Sequence, residues 1–532
     1  MSQSAIERAR AADSIYEFLD GAAQAYGDDI AFENYHNTLT FADMGRYANA
    51  LAAYMQNEMG VVKGTKIALM SPNALSHPVC TMAIHKCGGV QVSVNPMYTP
   101  SELEHQLNDS ESEILLIFSG STVSFAPIRE KAGIKQVLVI SLGDCGQNDL
   151  PGPPVVDGFD DYTLLSDALK AGADMAFSPV AVGRDDLAFL QYTGGTTGPS
   201  KGAMLTHGNI LRNLDQGFGV MESVSVEREE IVVTALPLYH IFGLMANFLS
   251  YTGFGNKNIL ITNPRDMDQF VGAIKDAGFT RINGVNTLYA GLLLHPKFAE
   301  IDFSRLKMAL AGGTATLQTV SDSWEKVTSK PILEAYGLSE TSPILTISDP
   351  EWTEFTGTVG CAVADTDIRL LDDDDTEVAQ GERGELVCKG PQVTQGYYNR
   401  PDANAEAFTA DGYFRTGDIA IMDDQGRYQI VDRKKDMIIV SGFNVYPNDV
   451  EQVASSCEGV QECACLGVPD KKTGEAVKLF VVKSAGSDVT PAEITAHCAV
   501  HLTNYKVPHQ IDFIDEVPKS AVGKMLRREL RK

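Results

Sequence analysis

Four short apolar runs in this chain each end directly in a loop of polar or glycine residues. The runs are 187–192, 231–236, 306–311 and 332–335, and the loops that follow are 193–202, 237–240, 312–314 and 336–341. Short apolar runs bounded by such loops favour buried strands. Ligands of parallel α/β sheets bind beyond the carboxyl ends of the strands, so we expect the four loops to converge on one crevice. Together they predict a nucleotide site.

The loop after the first run has the composition of a polyphosphate cradle. Residues 192–203 read YTGGTTGPSKGA, with four glycines, four serine or threonine hydroxyls and Lys201. Glycine lets backbone N–H groups approach an anion, hydroxyls add donors, and lysine adds a positive charge. Its order differs from the G-x-x-x-x-G-K-[ST] loop, in which lysine precedes the hydroxyl. A plain surface turn is the structural alternative.

The first 434 residues alternate between strand-like and helix-like patterns. Met44, Tyr47, Leu51, Tyr54 and Met55 follow helical spacing, and strand-like runs follow at 66–70, 89–94, 113–118 and 136–140. Such alternation predicts an α/β fold of parallel-rich sheets flanked by helices. The segment 144–158 is expected to be a surface loop, and the four aspartates at 372–375 a solvated turn.

The pattern changes near residue 433. Strands are expected at 437–440, 462–468, 477–483 and 511–514, with helices beginning at Pro447 and Pro491. These elements predict a small α+β unit of about 100 residues. We therefore expect a large N-terminal domain over 1–434 and a small mobile C-terminal domain over 435–532.

Charge and cysteine usage exclude several classes of protein. A net charge of −27 argues against a nucleic-acid partner, and a polyanionic substrate would need a local basic patch. Nine scattered cysteines indicate reduced thiols in a reducing cytoplasm. The first ten residues contain no apolar stretch, and 241–255 is too short to span a bilayer. A soluble, cytoplasmic protein is expected.

Four distant motifs extend the interpretation of the cradle. Residues 192–203 resemble the phosphate-binding signature of the acyl-adenylate-forming enzymes, which include acyl-CoA synthetases, peptide-synthetase adenylation domains and beetle luciferases. YGLSET (336–341) resembles the family's Y-G-x-[ST]-E-T motif, and YFRTGD (413–418) resembles Y-x-R-T-G-D. RKKD (433–436) resembles the hinge motif, and PKSAVGK (518–524) resembles the segment that ends on the catalytic lysine. All of them occur in family order.

The resemblance implies an enzyme that uses ATP, Mg²⁺ and coenzyme A. Tyr336 would stack on adenine, Thr341 would contact the α-phosphate and Asp418 would bind the ribose. The implied catalytic residues are Lys524, His240, Glu340 and Thr196, and the implied Mg²⁺ ligands are Glu340 and Thr196. The implied binding residues are Thr193, Gly194, Gly195, Thr196, Thr197, Lys201, Gly312, Gly313, Thr314, Tyr336, Gly337, Thr341, Asp418, Arg433, Lys435, Gly442, Phe443 and Lys524. The structural alternatives are a solvated lysine in a basic tail, a structural histidine and capping carboxylates.

The implied reaction has two halves. A carboxylate is a poor electrophile, so it first attacks the α-phosphorus of ATP to give an acyl-adenylate and pyrophosphate. Positioning and charge stabilisation dominate such a step. In the family the C-terminal domain then rotates about a hinge, here Lys435, which withdraws Lys524 and brings in residues 441–444. We expect glycine at Gly442 because a side chain would crowd a narrow pantetheine tunnel.

The substrate class is less constrained. The segments that look most like bacterial long-chain fatty-acid CoA ligases are 431–438, 441–447, 191–207 and 237–242, which implies a medium- or long-chain fatty acid. Leu244 stands where some long-chain members have a tryptophan gate, so a short-chain, thioether or aryl acid is an alternative. An adenylation domain of a peptide synthetase would carry an aspartate where Ala235 and Leu236 lie. A luciferase-like oxygenase and a non-catalytic nucleotide-binding protein are further alternatives. Long-chain relatives often pair through their N-terminal domains, which implies a homodimer, and a peripheral membrane contact is left open.

Overall fold

The computed structural model describes residues 4–193, 200–520 and 523–531. The strands are β1 Ile30–Asn34, β2 Asn37–Thr40, β3 Lys66–Met70, β4 Val90–Ser93, β5 Ile114–Phe118, β6 Gln136–Ile140, β7 Thr163–Leu164, β8 Leu187–Thr193, β9 Lys201–Thr206, β10 Ile231–Thr234, β11 Lys257–Leu260, β12 Arg281–Gly284, β13 Met308–Gly312, β14 Ile332–Gly337, β15 Ile344–Ile347, β16 Cys361–Ala362, β17 Asp367–Leu371, β18 Gly384–Lys389, β19 Phe414–Met422, β20 Tyr428–Arg433, β21 Ile438–Val440, β22 Phe443–Val445, β23 Val460–Asp470, β24 Gly474–Lys483 and β25 Gln510–Phe513.

The helices lie mainly between these strands. They are α1 Ala5–Ala11, α2 Ile15–Tyr26, α3 Phe41–Asn57, α4 Ser76–Lys86, α5 Pro100–Asp109, α6 Thr122–Phe125, α7 Leu165–Gly172, α8 His207–Met221, α9 Ile241–Gly243, α10 Ser250–Gly253, α11 Met267–Ile274, α12 Asn286–Leu294, α13 Gln318–Thr328, α14 Pro401–Ala407, α15 Pro447–Ser455, α16 Pro491–His501 and α17 Arg527–Leu530. A π-helical turn, Leu244–Leu249, joins α9 to α10. Among the described helices, none combines the length and the apolar character needed to cross a bilayer.

Two large sheets carry most of the chain before residue 363. One has seven strands in the order β7-β6-β5-β3-β4-β8-β9, and the other has nine in the order β16-β15-β14-β13-β12-β10-β11-β1-β2. The inner strands of both sheets are parallel to their neighbours, whereas antiparallel pairs occur at the edges. This confirms the predicted α/β class with parallel-rich sheets.

The main core is the helical layer between the two sheets. Leu51 of α3 and Ile84 of α4 pack in one apolar cluster with Ile67 of the seven-stranded sheet and Phe32 of the nine-stranded sheet. All four side chains are fully buried. Full burial of a side chain of this size contributes about 1.5–3 kcal/mol, so this layer fixes the spacing of the sheets.

Two smaller sheets follow. β17–β20 form an antiparallel sheet that ends at Arg433, and the turn Lys434–Asp436 follows it. β21–β25 then form a five-stranded sheet with its own apolar cluster against α15 and α16. The predicted helices and strands of the last 100 residues are present, with ends that differ by up to three residues. Nine free cysteines, seven of them buried, match the expectation of reduced thiols.

The four predicted strand–loop units do not all belong to one sheet. β10, β13 and β14 lie in the nine-stranded sheet, whereas β8 lies in the seven-stranded sheet. The two sheets nevertheless meet at these loops, because the Gln191 amide at the end of β8 donates to the carbonyl of Tyr239 at 3.0 Å. The Ser339–Thr341 turn also lies against β8 and β9. The crevice is therefore built between sheets.

Candidate active site

The YGLSET segment forms the end of β14 and a tight turn. Gly337 has no room for a side chain, because an added Cβ would lie 1.6 Å from the carbonyl oxygen of Pro343. The turn buries Glu340 and Thr341. The Thr341 hydroxyl donates to the carbonyl of Pro343 at 2.5 Å and accepts from the Leu338 N–H, so it helps to close the turn. Its predicted contact with the α-phosphate stays a prediction.

Glu340 is the carboxylate that this turn presents to the crevice. One of its oxygens, Oε1, accepts a hydrogen bond from the Tyr397 hydroxyl at 2.7 Å. Its backbone carbonyl accepts from the Thr394 N–H at 2.7 Å. Mg²⁺ in nucleotide sites is usually bound by one or two carboxylates plus substrate phosphates. A single buried carboxylate fits that donor set, and no group of three metal-ligating side chains occurs in residues 4–193, 200–520 or 523–531.

Asp418 on β19 links the motif tyrosine to the last strand before the turn at 434–436. Its Oδ2 accepts from the Tyr336 hydroxyl at 2.7 Å, and its Oδ1 lies 3.4 Å from Nε of Arg433. Burial and the neighbouring Asp418 charge raise the pKa of Tyr336 well above its usual value. Tyr336, Asp418 and Arg433, three of the implied binding residues, therefore form one connected group.

The loop after β13 also borders the crevice. Gly312 ends the strand and Gly313 follows it, and the Thr314 hydroxyl is buried without a hydrogen-bond partner among the described residues. Buried hydroxyls are normally paired, so an orphaned one points to a ligand or water. The Thr316 N–H donates to Glu334 Oε1 at 3.1 Å, which anchors the loop to β14.

Lys524 reaches this loop from the C-terminal segment. A small hairpin holds it, because the Ser520 N–H donates to the Lys524 carbonyl at 2.7 Å and the Lys524 N–H donates to the Ser520 hydroxyl at 3.1 Å. Lys524 Cε lies 3.6 Å from the position of a Cβ added at Gly313. A Cβ added at the neighbouring Gly523 would lie 2.7 Å from Thr287 Oγ1. The lysine is thus docked against the large sheet assembly.

Lys524 is a half-buried cation with both positive and negative neighbours. Burial and the Arg433 charge lower the pKa of Lys524, while Asp418 and Glu340 act in the opposite direction. Burial and the Lys524 charge also lower the pKa of His240 to about 3. His240 is therefore neutral near pH 7. Its Nδ1 accepts from the Phe242 N–H at 3.3 Å, which leaves Nε2 to carry the proton.

The structure describes the two ends of the cradle, Thr193 and residues 200–203. Thr193 ends β8 and pairs with Lys201 at the start of β9. The Lys201 ammonium lies 4.3 Å from the centre of the Tyr397 ring. The predicted residues Gly194, Gly195, Thr196 and Thr197 lie outside the described residues.

The hinge and hairpin residues lie on the small unit. Lys435 is in the turn Lys434–Asp436, where burial and Arg433 lower its pKa. Gly442 joins β21 to β22 with φ +84° and no atom within 4 Å of an added Cβ. In this arrangement glycine is favoured by backbone conformation, not by crowding. Phe443 is 56% exposed and stacks on Tyr505 with 4.8 Å between ring centres.

The apolar residues after His240 divide between core and crevice. Leu244, Met245, Phe248 and Leu249 are buried in the helical layer. Phe242 is the member that borders the loop after β13, since its ring lies 3.1 Å from a Cβ added at Gly312.

Tyr397 is the site residue that the sequence motifs missed. It contacts both Glu340 and Lys201, yet it lies 57 positions after Glu340 and outside every quoted motif. Its one sequence signal is the aromatic pair Tyr397-Tyr398 after Gly396. Burial and the Glu340 charge raise the pKa of Tyr397, so its hydroxyl keeps its proton and acts as a donor.

Comparisons with known proteins agree with this geometry. Residues 19–398 match the model of the AMP-binding enzyme family, and residues 449–524 match that of the AMP-binding enzyme C-terminal domain. The chain is 45% identical to a long-chain-fatty-acid–CoA ligase of Salmonella typhimurium, over 97% of this chain and 94% of the relative. It is 42% identical to the Haemophilus influenzae protein of the same name, over 98% and 94%.

A solved structure shows the same architecture. The crystal structure of ATP-bound MatB from Rhodopseudomonas palustris matches with a TM-score of 0.84 at 27% identity, over 97% of this chain and 98% of that one. The family model covers well over half of the sequence, and the ligase relatives exceed 40% identity over nearly its full length. The chain therefore belongs to the AMP-binding enzyme family, as its motifs predict.

Proposed function

We propose that this protein joins a medium- or long-chain fatty acid to coenzyme A through an acyl-adenylate, with release of AMP and pyrophosphate. The observation that carries the proposal is the docking of Lys524 beside Gly313 within the electrostatic reach of Asp418 and Glu340. A half-buried cation beside the implied nucleotide residues suits a substrate carboxylate that attacks phosphorus. The relatives named as long-chain-fatty-acid–CoA ligases support the class of acid.

The roles proposed for individual residues follow from their positions. Asp418 would accept the ribose hydroxyls, and Tyr336 would border the adenine. Lys524 would hold the attacking carboxylate and offset the charge that develops at the α-phosphate. Glu340 would hold Mg²⁺, which supplies positive charge to the phosphate oxygens when it is bound. Lys201 would contact the outer phosphates as a point charge.

His240 is proposed to act on the acyl side of the crevice. Its imidazole is neutral, and the hydrogen bond to Nδ1 orients the ring. The Nε2–H would donate to the acyl carboxylate and help to align it for attack. A neutral donor suits this role because a second cation beside Lys524 would be costly.

The basic groups of the site provide local positive charge in an acidic protein. The Arg433 charge lowers the pKa of both Lys435 and Lys524, so Arg433 lies near both cations in a chain whose net charge is −27. This is the local basic patch that a polyanionic substrate needs within an acidic protein. ATP and CoA both carry several negative charges.

We further propose that residues 435–532 form a lid that rotates at Lys435 for the second half-reaction. Contacts across the proposed hinge hold the present arrangement. Asp432 accepts a hydrogen bond from the Asn448 N–H at 2.8 Å, and its Oδ1 lies 4.0 Å from Nη1 of Arg527. Arg527 also forms an ion pair with Glu451 at 2.8 Å. The same segment carries Lys524, so rotation would move the lysine away. The exposed hairpin around Gly442 would then approach the adenylate.

The test is a panel of acids assayed for CoA-dependent AMP release. The panel contains fatty acids from C2 to C18, aromatic acids and thioether acids. We expect the highest kcat/KM with a medium- or long-chain fatty acid. A preference for an aryl or thioether acid would overturn the proposed substrate class. Formation of ADP, or no AMP with any acid, would overturn the mechanism. A homodimer and a cytoplasmic location remain proposals, to be tested by sedimentation equilibrium and cell fractionation.

A further inference from the structure

Tyr397 connects the two charged groups that the proposed function assigns to MgATP. Its hydroxyl donates to Glu340 Oε1 at 2.7 Å, and its ring faces the Lys201 ammonium at 4.3 Å. Tyr397 is 8% exposed and Glu340 is buried, whereas Lys201 is half-buried. A carboxylate and an ammonium on different sheets are thereby attached to one aromatic ring.

The tyrosine is itself held on two sides. Its N–H donates to the Asn404 side chain at 2.6 Å, and the Asn404 amide donates back to the Tyr397 carbonyl at 3.0 Å. On the other side the segment pairs with β9, since the Met204 N–H donates to the Gly396 carbonyl at 2.9 Å and the Tyr398 N–H donates to the Gly202 carbonyl at 2.9 Å. These bonds fix the backbone that carries the ring.

We infer that Tyr397 is a positioning residue that holds Glu340 for the metal and Lys201 for the phosphates in one arrangement. The inference rests on the proposed function. A hydrogen bond to one carboxylate oxygen orients the group and leaves the second oxygen for the metal. A cation held over an aromatic face loses side-chain freedom before the phosphates arrive. Tyr397 therefore sets the affinity for Mg²⁺ through Glu340 and the affinity for ATP through Lys201.

Two phenylalanine variants separate this role from a general loss of a hydroxyl. Tyr397→Phe removes the bond to Glu340 and keeps the ring beneath Lys201. Tyr398→Phe is the matched control, because that hydroxyl donates to Glu111 instead. Loss of an outer-shell partner typically weakens metal affinity by about 10- to 100-fold. In pyrophosphate–ATP exchange, Tyr397→Phe should raise the half-saturating Mg²⁺ concentration by about tenfold and leave kcat at saturating Mg²⁺ within about twofold.

A binding measurement gives the same answer without turnover. Calorimetric titration of Mg²⁺ with the α,β-methylene analogue of ATP should show a similar rise in Kd for Tyr397→Phe and no change for Tyr398→Phe. Tyr397→Leu also removes the ring, so it should additionally raise the KM for ATP at saturating Mg²⁺. Circular dichroism melting establishes whether each variant is folded. If Tyr397→Leu does not fold, the Tyr397→Phe result alone decides.

The outcomes distinguish this inference from the function beneath it. If Tyr397→Phe keeps the Mg²⁺ dependence of the wild type in both assays, the positioning role is wrong. Glu340→Gln is the reference: if it raises the half-saturating Mg²⁺ concentration while Tyr397→Phe does not, only the inference fails. If Glu340→Gln also leaves the Mg²⁺ dependence unchanged, the metal role proposed for Glu340 fails as well.

Discussion

Replacement of Lys524 by alanine should separate the two half-reactions. Lys524 docks at Gly313, among the groups proposed to bind ATP, and its surroundings lower its pKa. If the present arrangement is the one that forms the adenylate, the ammonium acts in that step alone. The variant should therefore lose adenylate formation and keep thioester formation from a supplied acyl-adenylate.

The size of the loss can be worked from the site. A unit charge about 4 Å from the reacting carboxylate contributes about 4 kcal/mol at an effective dielectric constant of about 20. Water that enters the space left by the side chain recovers part of this. Removal of one preorganised donor from an active site typically costs about 2.7–4 kcal/mol, or about 10²–10³ in rate. We expect pyrophosphate–ATP exchange to fall by that factor.

The assay pairs the variant with a nearby lysine. Lys519 lies in the same hairpin and pairs with Glu462 at 2.8 Å on the surface, so Lys519→Ala removes an equal charge outside the crevice. Exchange measures the first half-reaction, and CoA consumption with synthetic acyl-adenylate measures the second. Equal loss of both half-reactions in Lys524→Ala, or an equal effect of Lys519→Ala on exchange, would refute the reasoning.

The remaining predictions concern the hairpin, the lysine charge and a buried acid. Gly442→Trp should block thioester formation but spare exchange, whereas Gly426→Trp, at another open turn with positive φ, should spare both; full turnover by Gly442→Trp would remove the tunnel argument. The pKa of Lys524 is lowered and its charged form is the active one, so the loss of exchange at high pH should begin below the pH expected for a lysine of pKa 10.5. Lys524→Arg should move this loss to higher pH. An unchanged pH profile in that variant would contradict the assignment. Burial raises the pKa of Glu334 to about 7, above its value of 4.5 in an unfolded chain, so its contribution to stability is lost as pH rises from 4.5 through about 7. Glu334→Gln lacks this loss and should gain in urea midpoint relative to the wild type between pH 5 and 8, and a constant difference would show that Glu334 does not titrate there.

The sequence predicts the local parts of this molecule well for a physical reason. Short apolar runs such as 66–70 and 136–140 coincide with buried strands because burial and turn residues act within a few positions. Gly337 and Asp418 are recognisable because their roles are set by nearby backbone and by a compact motif.

Contacts between distant segments are what the sequence does not supply. Nothing in the run 187–192 indicates that β8 joins a different sheet from β14, because strand pairing depends on the whole topology. The same applies to Tyr397, whose function arises from two contacts made across sheets. The hydroxyl of Thr341 is a third case, since its use within the turn depends on the position of Pro343.

The helical layer between the two sheets has a consequence for how such an enzyme diversifies. Phe189 of β8 and Leu260 of β11 pack on opposite sides of that layer, and Leu51 and Ile84 lie inside it. A change of side-chain volume there alters the separation of the two sheets, and with it the distance between Lys201 on β9 and His240 after β10. Substrate range can thus drift through replacements far from any bound molecule, while every residue that touches ATP is retained.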